Sequence, residues 1–265
     1  MERFEALFGR KPVIAMVHLK ALPGTPLYDG DLEGIVEAAR RDLLALQEAG
    51  VDAVMFGNEN DRPYELSVDR ASVATMAYVI GRLKSHIRVP FGVDVLWDPL
   101  ATMALAAATG ARFAREIFTG LYGSDMGLWE GRAAEALRYR KRLQRDDLFL
   151  LYNVSAEFAS PLDARPLPER AKSAVFSSLA DAVLVSGPMT GEGVALEHLK
   201  AVKEALPGVP VLANTGVRHE TVAEILEVAD GVIVGTALKR DGVTWNEVDP
   251  ERARSFMEIV RRFRG

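Results

Sequence analysis

A chain of 265 residues, 49% of them hydrophobic, has the length of one α/β barrel and enough apolar material for a large core. Lys and Arg number 32 against 37 Asp and Glu, and a net charge of −5 gives no general attraction to nucleic acid or an anionic membrane. Cysteine is absent, which excludes disulfides, thiolate metal sites and cysteine nucleophiles. No run approaches the roughly 20 apolar residues of a membrane span, and Met1–Lys11 is too mixed and charged for a signal segment. A cytoplasmic protein without membrane insertion is expected.

Short apolar runs alternate with longer amphipathic stretches. The first run, Val13–Leu19, leads into Lys20-Ala21-Leu22-Pro23-Gly24-Thr25-Pro26. That is a stiff loop, not the GxGxxG cradle that a doubly wound sheet usually carries after its first strand. Residues 33–49 put Ile35, Val36, Ala39, Leu43 and Leu46 on one helical stripe, and Gly50 ends it. The runs Ala53–Asn58, Phe91–Trp97, Phe113–Phe118, Leu148–Val154, Ala182–Gly187 and Pro210–Gly216 follow. A helix over 219–228 carries Val222, Ile225 and Leu226 before the last run, Gly231–Thr236. The closing helix, 250–264, has Phe256, Ile259, Val260 and Phe263 on one side, with Asp249 as N-cap and Pro250 in its first turn. Basic clusters such as Arg138–Arg145 and Arg261–Arg264 read as solvated helix faces.

The apolar runs are continuous, not alternating, as expected of parallel strands covered on both faces. No Ser- or Gly-rich linker divides them. Eight strand–helix units in one uninterrupted series predict an α/β protein made of a single (β/α)8 TIM barrel domain over residues 1–265.

In such barrels the strand C-termini carry function. The seventh run ends at Asn214, Thr215 and Gly216; the eighth ends at Gly235 and Thr236, with Lys239 just beyond. Glycine lets backbone N–H groups approach an anion, threonine adds a hydroxyl and lysine adds charge. A phosphate site after strands 7 and 8 recurs in this fold, so a phosphorylated small-molecule ligand is expected there. Ser186 and Gly187 are further candidate phosphate contacts, and they open a loop, continuing to Gly193, that reads either as a cover for the same mouth or as a long turn.

The other strand ends supply chemistry. His18, Glu59, Asp94 and Glu116 are the candidate catalytic groups; Asn58, Trp97, Arg115 and Asn153 are candidate substrate contacts, and Glu157 follows Asn153 closely. Successive strand residues face opposite ways, so only one of Arg115 and Glu116 can point into the barrel. Two arrangements stay open: Asp94 ion-paired with Arg115, or Asp94 with Glu116 near His18 as a catalytic set. Carboxylates with one histidine can run acid–base chemistry on a sugar-like substrate, or hold Mg²⁺ or another divalent cation through hard oxygen ligands. His86, His198 and His219 fall on helices or their ends. No lysine lies inside a strand run, which argues against a Schiff-base aldolase, and no GxSxG or HExxH occurs. Trp97, Trp129, Tyr122 and Phe118 are aromatic groups near the third and fourth strands that could wall a ring.

Several blocks in order resemble the BtpA family, and more closely its SgcQ-like branch. They are Val13-Ile14-Ala15-Met16-Val17-His18-Leu19 with Ala21-Leu22-Pro23-Gly24, Gly50-Val51-Asp52-Ala53-Val54-Met55-Phe56 with Asn58-Glu59, and Pro90 to Pro99. Arg115 to Gly120, Ser124-Asp125, Gly127, Leu212 to Val217 and Lys239 to Gly242 complete them. The resemblance implies a phosphate-binding barrel. It links relatives by name to photosystem I biogenesis and the SgcQ-like branch to sugar uptake. Some relatives are named phosphoribosylanthranilate isomerase, an enzyme that works with a cysteine and an aspartate; this chain has no cysteine. In the family, asparagine is more often expected at the position of Asp94. Three functions are consistent with these residues: an isomerase, epimerase or lyase acting on a phosphorylated sugar or related metabolite; a non-catalytic assembly or regulatory protein; and a Mg²⁺-dependent phosphoester or nucleotide hydrolase. A homo-oligomer also stays open.

Overall fold

The computed structural model describes residues 1–187 and 193–265. Most of the expected lid loop therefore lies outside the described residues. Eight parallel strands close into a barrel: β1 (Val13–His18), β2 (Ala53–Gly57), β3 (Phe91–Asp94), β4 (Phe113–Glu116), β7 (Phe149–Asn153), β9 (Ala182–Ser186), β10 (Val211–Asn214) and β11 (Gly231–Val234). Each lies within one of the eight apolar runs. The helices α2 (Leu32–Ala49), α3 (Arg70–Leu83), α4 (Pro99–Thr109), α5 (Ala133–Arg142), α6 (Leu167–Ser178), α7 (Leu196–Ala205), α8 (Val222–Val228) and α9 (Pro250–Arg264) connect them outside. The expected stops and caps are in place: Gly50 takes a left-handed φ of 88° after α2, and Asp249 accepts from the N–H groups of Glu251 and Arg252 to start α9.

Alternation along each strand sorts the side chains into two cores. Val13, Ala15 and Val17 of β1 face the helices with Val54, Phe56, Ala114, Leu150 and Val232. Ile14, Met16, Ala53, Met55, Phe113, Phe149, Leu151, Leu184, Leu212 and Ile233 fill the barrel interior. The bottom of that interior is plugged by α1 (Glu2–Phe8), which the charged N-terminal composition did not announce. Its Phe4 and Phe8, four residues apart on one helix face, are buried; Phe8 meets Phe113 edge-on at 4.9 Å.

Gly92 shows how tightly this interior is filled. A Cβ there would fall 2.3 Å from the Phe113 ring, which has no free space to enter. Gly92→Ala is expected to lower stability by about 1–3 kcal/mol through overpacking, read as a lower urea midpoint with an unchanged slope.

One addition was not foreseen. β5 (Leu121–Ser124), β6 (Gly127–Glu130) and β8 (Ala159–Pro161) form a separate three-stranded antiparallel sheet in the connections after β4 and β7. Each strand is only three or four residues long, too short to show a period in sequence. Tyr122 and Trp129 pair on its inner face and pack with Trp97. Leu121, Leu128 and Leu162 are exposed, and the register puts them together on its outer face.

Candidate active site at the strand ends

The top layer of the barrel interior changes character. Where the lower layers are apolar, the last inward positions are His18, Asp94, Arg115, Asn153, Ser186, Asn214 and Gly235. The strand register sets His18 beside Gly57 and Gly57 beside Asp94. Across the barrel it sets Asn214 beside Ser186. A ring of polar groups this deep is costly unless each finds a partner or a ligand.

Arg115 is the hub. Its Nε donates to Asp94 at 2.6 Å, its Nη2 pairs with the same oxygen, and its Nη1 donates to Asn214 Oδ1 at 2.9 Å across the barrel. Burial works against its charge, but Asp94, Glu157 and Glu59 outweigh that and hold the guanidinium protonated. Of the two arrangements left open for Asp94, the structure forms the ion pair with Arg115. Burial pushes the Asp94 carboxyl upward, and Arg115 opposes that shift.

Glu116, the next residue along β4, faces the helix layer. It meets the Thr102 hydroxyl of α4 at 3.3 Å and accepts from the Ile117 N–H at 2.9 Å. Burial, then the charge of Asp94, raises it well above the usual carboxylate range. It does not line the cavity. The strand period decides this: with Arg115 inside, Glu116 must be outside.

Glu59 and His18 face each other on the opposite side of Arg115. Glu59 Oε1 stands 3.5 Å from His18 Nε2 and 3.8 Å from Arg115 Nη2. Both Glu59 oxygens are buried without a hydrogen-bond partner. Burial pushes Glu59 up to about 8, although Arg115 pulls the other way. Burial, and then the positive charges of Lys239 and Arg115, push His18 well below its ordinary value. At neutral pH the pair is an un-ionised acid beside an un-ionised imidazole.

Beyond the strand ends, Glu157 enters from the loop after β7. It accepts from the Thr215 hydroxyl in a short contact and from Asn214 Nδ2 at 3.4 Å, and burial raises its carboxyl. Thr215 has φ 69° and Phe158 φ 56°, both uncommon for residues with a branched or bulky side chain. These strained positions flank Glu157, one bonded to it and one following it in the chain, as strain often clusters at functional sites.

A cavity opens above this layer. His18, Glu59, Trp97, Arg115, Asn214, Thr215, Gly216, Gly235 and Thr236 all line it. The remaining sequence candidates sit elsewhere. Asp94 lies beneath Arg115. Asn153 and Asn214 both donate to Ser186 Oγ, at 2.9 and 2.7 Å, in a side network with Gly187 just beyond. Asn58 ties loops together through Asp61 and the Leu96 N–H. Lys239, expected to add charge to the phosphate rim, donates to Asp42 of α2 at 2.7 Å and is buried on the helix side. With its ammonium committed to Asp42, the rim consists of backbone and hydroxyl groups at Gly216, Gly235 and Thr236. Among the described residues no group of three or more His, Asp or Glu side chains is placed to hold a metal ion.

Besides the apolar Met16, Leu96, Val217 and Ile233, the lining includes Glu157, Tyr64 and Phe158, which were not assigned to the site from sequence. Glu157 had a signal, four residues past the last inward residue of its strand. Tyr64 and Phe158 come from irregular loops and had none.

Together, the eight parallel strands and their outer helices define a closed (β/α)8 barrel with an acid-rich cavity at its strand C-terminal ends. The chain belongs to the BtpA family, whose model matches residues 9–262. It is 47% identical over 262 residues to the sgc region protein SgcQ of Escherichia coli, covering 98% of both chains. It is 34% identical to the photosystem I biogenesis protein BtpA of Synechocystis, covering 98% of this chain and 91% of that one. Among solved structures, the native KDPGal structure superposes with a TM-score of 0.58 at 18% identity over 95% of each chain. Phosphoribosyl anthranilate isomerase from Thermus thermophilus superposes at 0.57 and 15%, over 95% of this chain and 98% of that one. At such identities these two likenesses show the fold alone. No helix among the described residues is long and apolar enough to cross a membrane.

Proposed function

We propose that the chain binds a phosphorylated sugar or related small metabolite and moves a proton on it, as an isomerase, epimerase or lyase does. The observation that carries this reading is the Glu59–His18 pair: an acid that keeps its proton near pH 7 and a base that lacks one, 3.5 Å apart in the cavity floor. His18 is suited to take a proton from a carbon next to a carbonyl, and Glu59 to give one to the oxygen that becomes negative. Arg115 supports that oxygen electrostatically, and Asp94 holds Arg115 in place. The phosphate sits at Gly216 and Gly235–Thr236, where small residues leave backbone accessible.

Gly235 links the two ends of the site. A Cβ there would lie 2.8 Å from His18 Cε1 and 3.0 Å from Nε2. Gly235→Ala is expected to weaken inorganic phosphate binding at least tenfold in calorimetry while the chain stays folded; unchanged binding removes the phosphate assignment. Turnover is tested by incubating aldose and ketose 5-phosphates in D2O and following loss of C–H signals by NMR. Exchange that disappears in His18→Asn supports the proton transfer; binding without exchange leaves only the ligand reading.

A non-catalytic assembly role is the second reading. The outer leucine face of the small sheet favours it, as does the name carried by the Synechocystis relative. Leu128→Glu with Leu162→Glu is expected to abolish capture of a partner and leave phosphate binding unchanged.

A further inference from the structure

Glu59 has a feature that proton transfer alone does not use. It is a nine-tenths buried carboxyl with both oxygens free of hydrogen-bond partners, and the nearest side chains stand back from it. His18 Nε2 at 3.5 Å and Arg115 Nη2 at 3.8 Å are both too far to satisfy Oε1. The side chain is nevertheless fixed. The Tyr64 hydroxyl donates to the Glu59 carbonyl at 2.8 Å and anchors the loop. The carboxyl folds back over Gly57, where a Cβ would fall 2.6 Å from Oε2 and displace it. Such a group, left empty, costs free energy that a ligand donor recovers.

A carboxyl that keeps its proton offers one carbonyl acceptor and one O–H donor side by side, which matches two hydroxyl groups on adjacent carbons, one donating to Glu59 and the other accepting from it. Glu59 shares the cavity with the small residues Gly216 and Gly235 and with the aromatic side chains of Tyr64, Trp97 and Phe158. Tyr64 and Trp97 pack at 4.6 Å, so nothing inserts between them. A short ligand is favoured: a phosphate at one end and vicinal hydroxyls over Glu59.

We infer that Glu59 is a specificity-determining residue that reads a vicinal hydroxyl pair on a short sugar phosphate. This rests on the phosphate reading above and deepens it. A site built to bond a hydroxyl discriminates against the analogue that lacks it, because its buried acceptor is then left unpaired.

The test compares ribose 5-phosphate with 2-deoxyribose 5-phosphate by calorimetry, with inorganic phosphate as reference. Ribose 5-phosphate is expected to bind at least tenfold more tightly than the deoxy analogue. In Glu59→Leu that ratio should fall to within twofold; Glu59→Gln, which keeps one acceptor, should be intermediate and provides the readout if the leucine variant does not fold. Equal affinities in the wild-type chain overturn the inference, as does a ratio that survives both substitutions. Phosphate binding without either sugar phosphate binding overturns it too, leaving the phosphate rim intact. If neither inorganic phosphate nor either ester binds, the phosphate reading itself falls.

Discussion

Arg115→Met is expected to cost about 3–5 kcal/mol of stability at pH 7, because it leaves a buried carboxylate without its partner. Asp94 is fully buried, and all its ionic contact comes from this one guanidinium. The substitution also removes the charge that draws Glu59 and Glu157 toward ionisation, so both are expected to hold their protons more tightly. The loss should be smaller at pH 5 than at pH 8, since an unpaired Asp94 can take up a proton at lower pH. Arg115→Met with Asp94→Asn should recover most of it, because an amide can be buried at far lower cost than a lone charge. Urea unfolding of the two single variants and the double variant closes the cycle. A single-variant loss under about 1 kcal/mol, or a double variant no better than Arg115→Met, would show that the pair does not hold the floor together.

The same pair shows what could be read from the chain alone. Continuous apolar runs and the absence of a Gly-rich first turn were enough to identify the barrel, because burial on both faces leaves a strong mark on composition. The period of two was enough to say that Arg115 and Glu116 part company, but not which of them turns inward. That choice depends on Asp94 and Asn214, which lie 21 and 99 residues away from Arg115 in sequence. Lys239 illustrates the opposite limit. A lysine just beyond a glycine-rich strand end reads as a phosphate ligand, yet its partner Asp42 is 197 residues away on α2. A short-range motif carries no information about such a contact. The small sheet of β5, β6 and β8 was invisible for a different reason: its strands are too short for a period, and its inner face is held by aromatic packing with Trp97.

Glu59→Gln should remove most of a pH dependence that the wild-type chain carries. The folded chain holds the Glu59 proton until about pH 8, against an ordinary value of 4.5. Between those values the unfolded chain has released its proton and the folded chain has not. Raising the pH therefore favours unfolding. The stabilising contribution is full below about pH 4.5 and is lost as pH rises through about 8. Each pKa unit is worth about 1.4 kcal/mol, so the loss attributable to Glu59 approaches about 5 kcal/mol. Other buried carboxyls, Asp94, Glu116 and Glu157, shift in the same direction. The difference between wild type and Glu59→Gln, and not the wild-type curve alone, isolates this residue. In urea unfolding at pH 5, 7 and 9, the variant should gain on the wild type step by step, and a constant gap would contradict the burial of an un-ionised Glu59. Catalysis should follow the same group with a different outcome. If Glu59 gives a proton to a developing oxyanion, wild-type turnover falls as pH rises through about 8. Glu59→Gln would then be the more stable chain at pH 9 and the inactive one at every pH, separating the cost of burying this acid from its use.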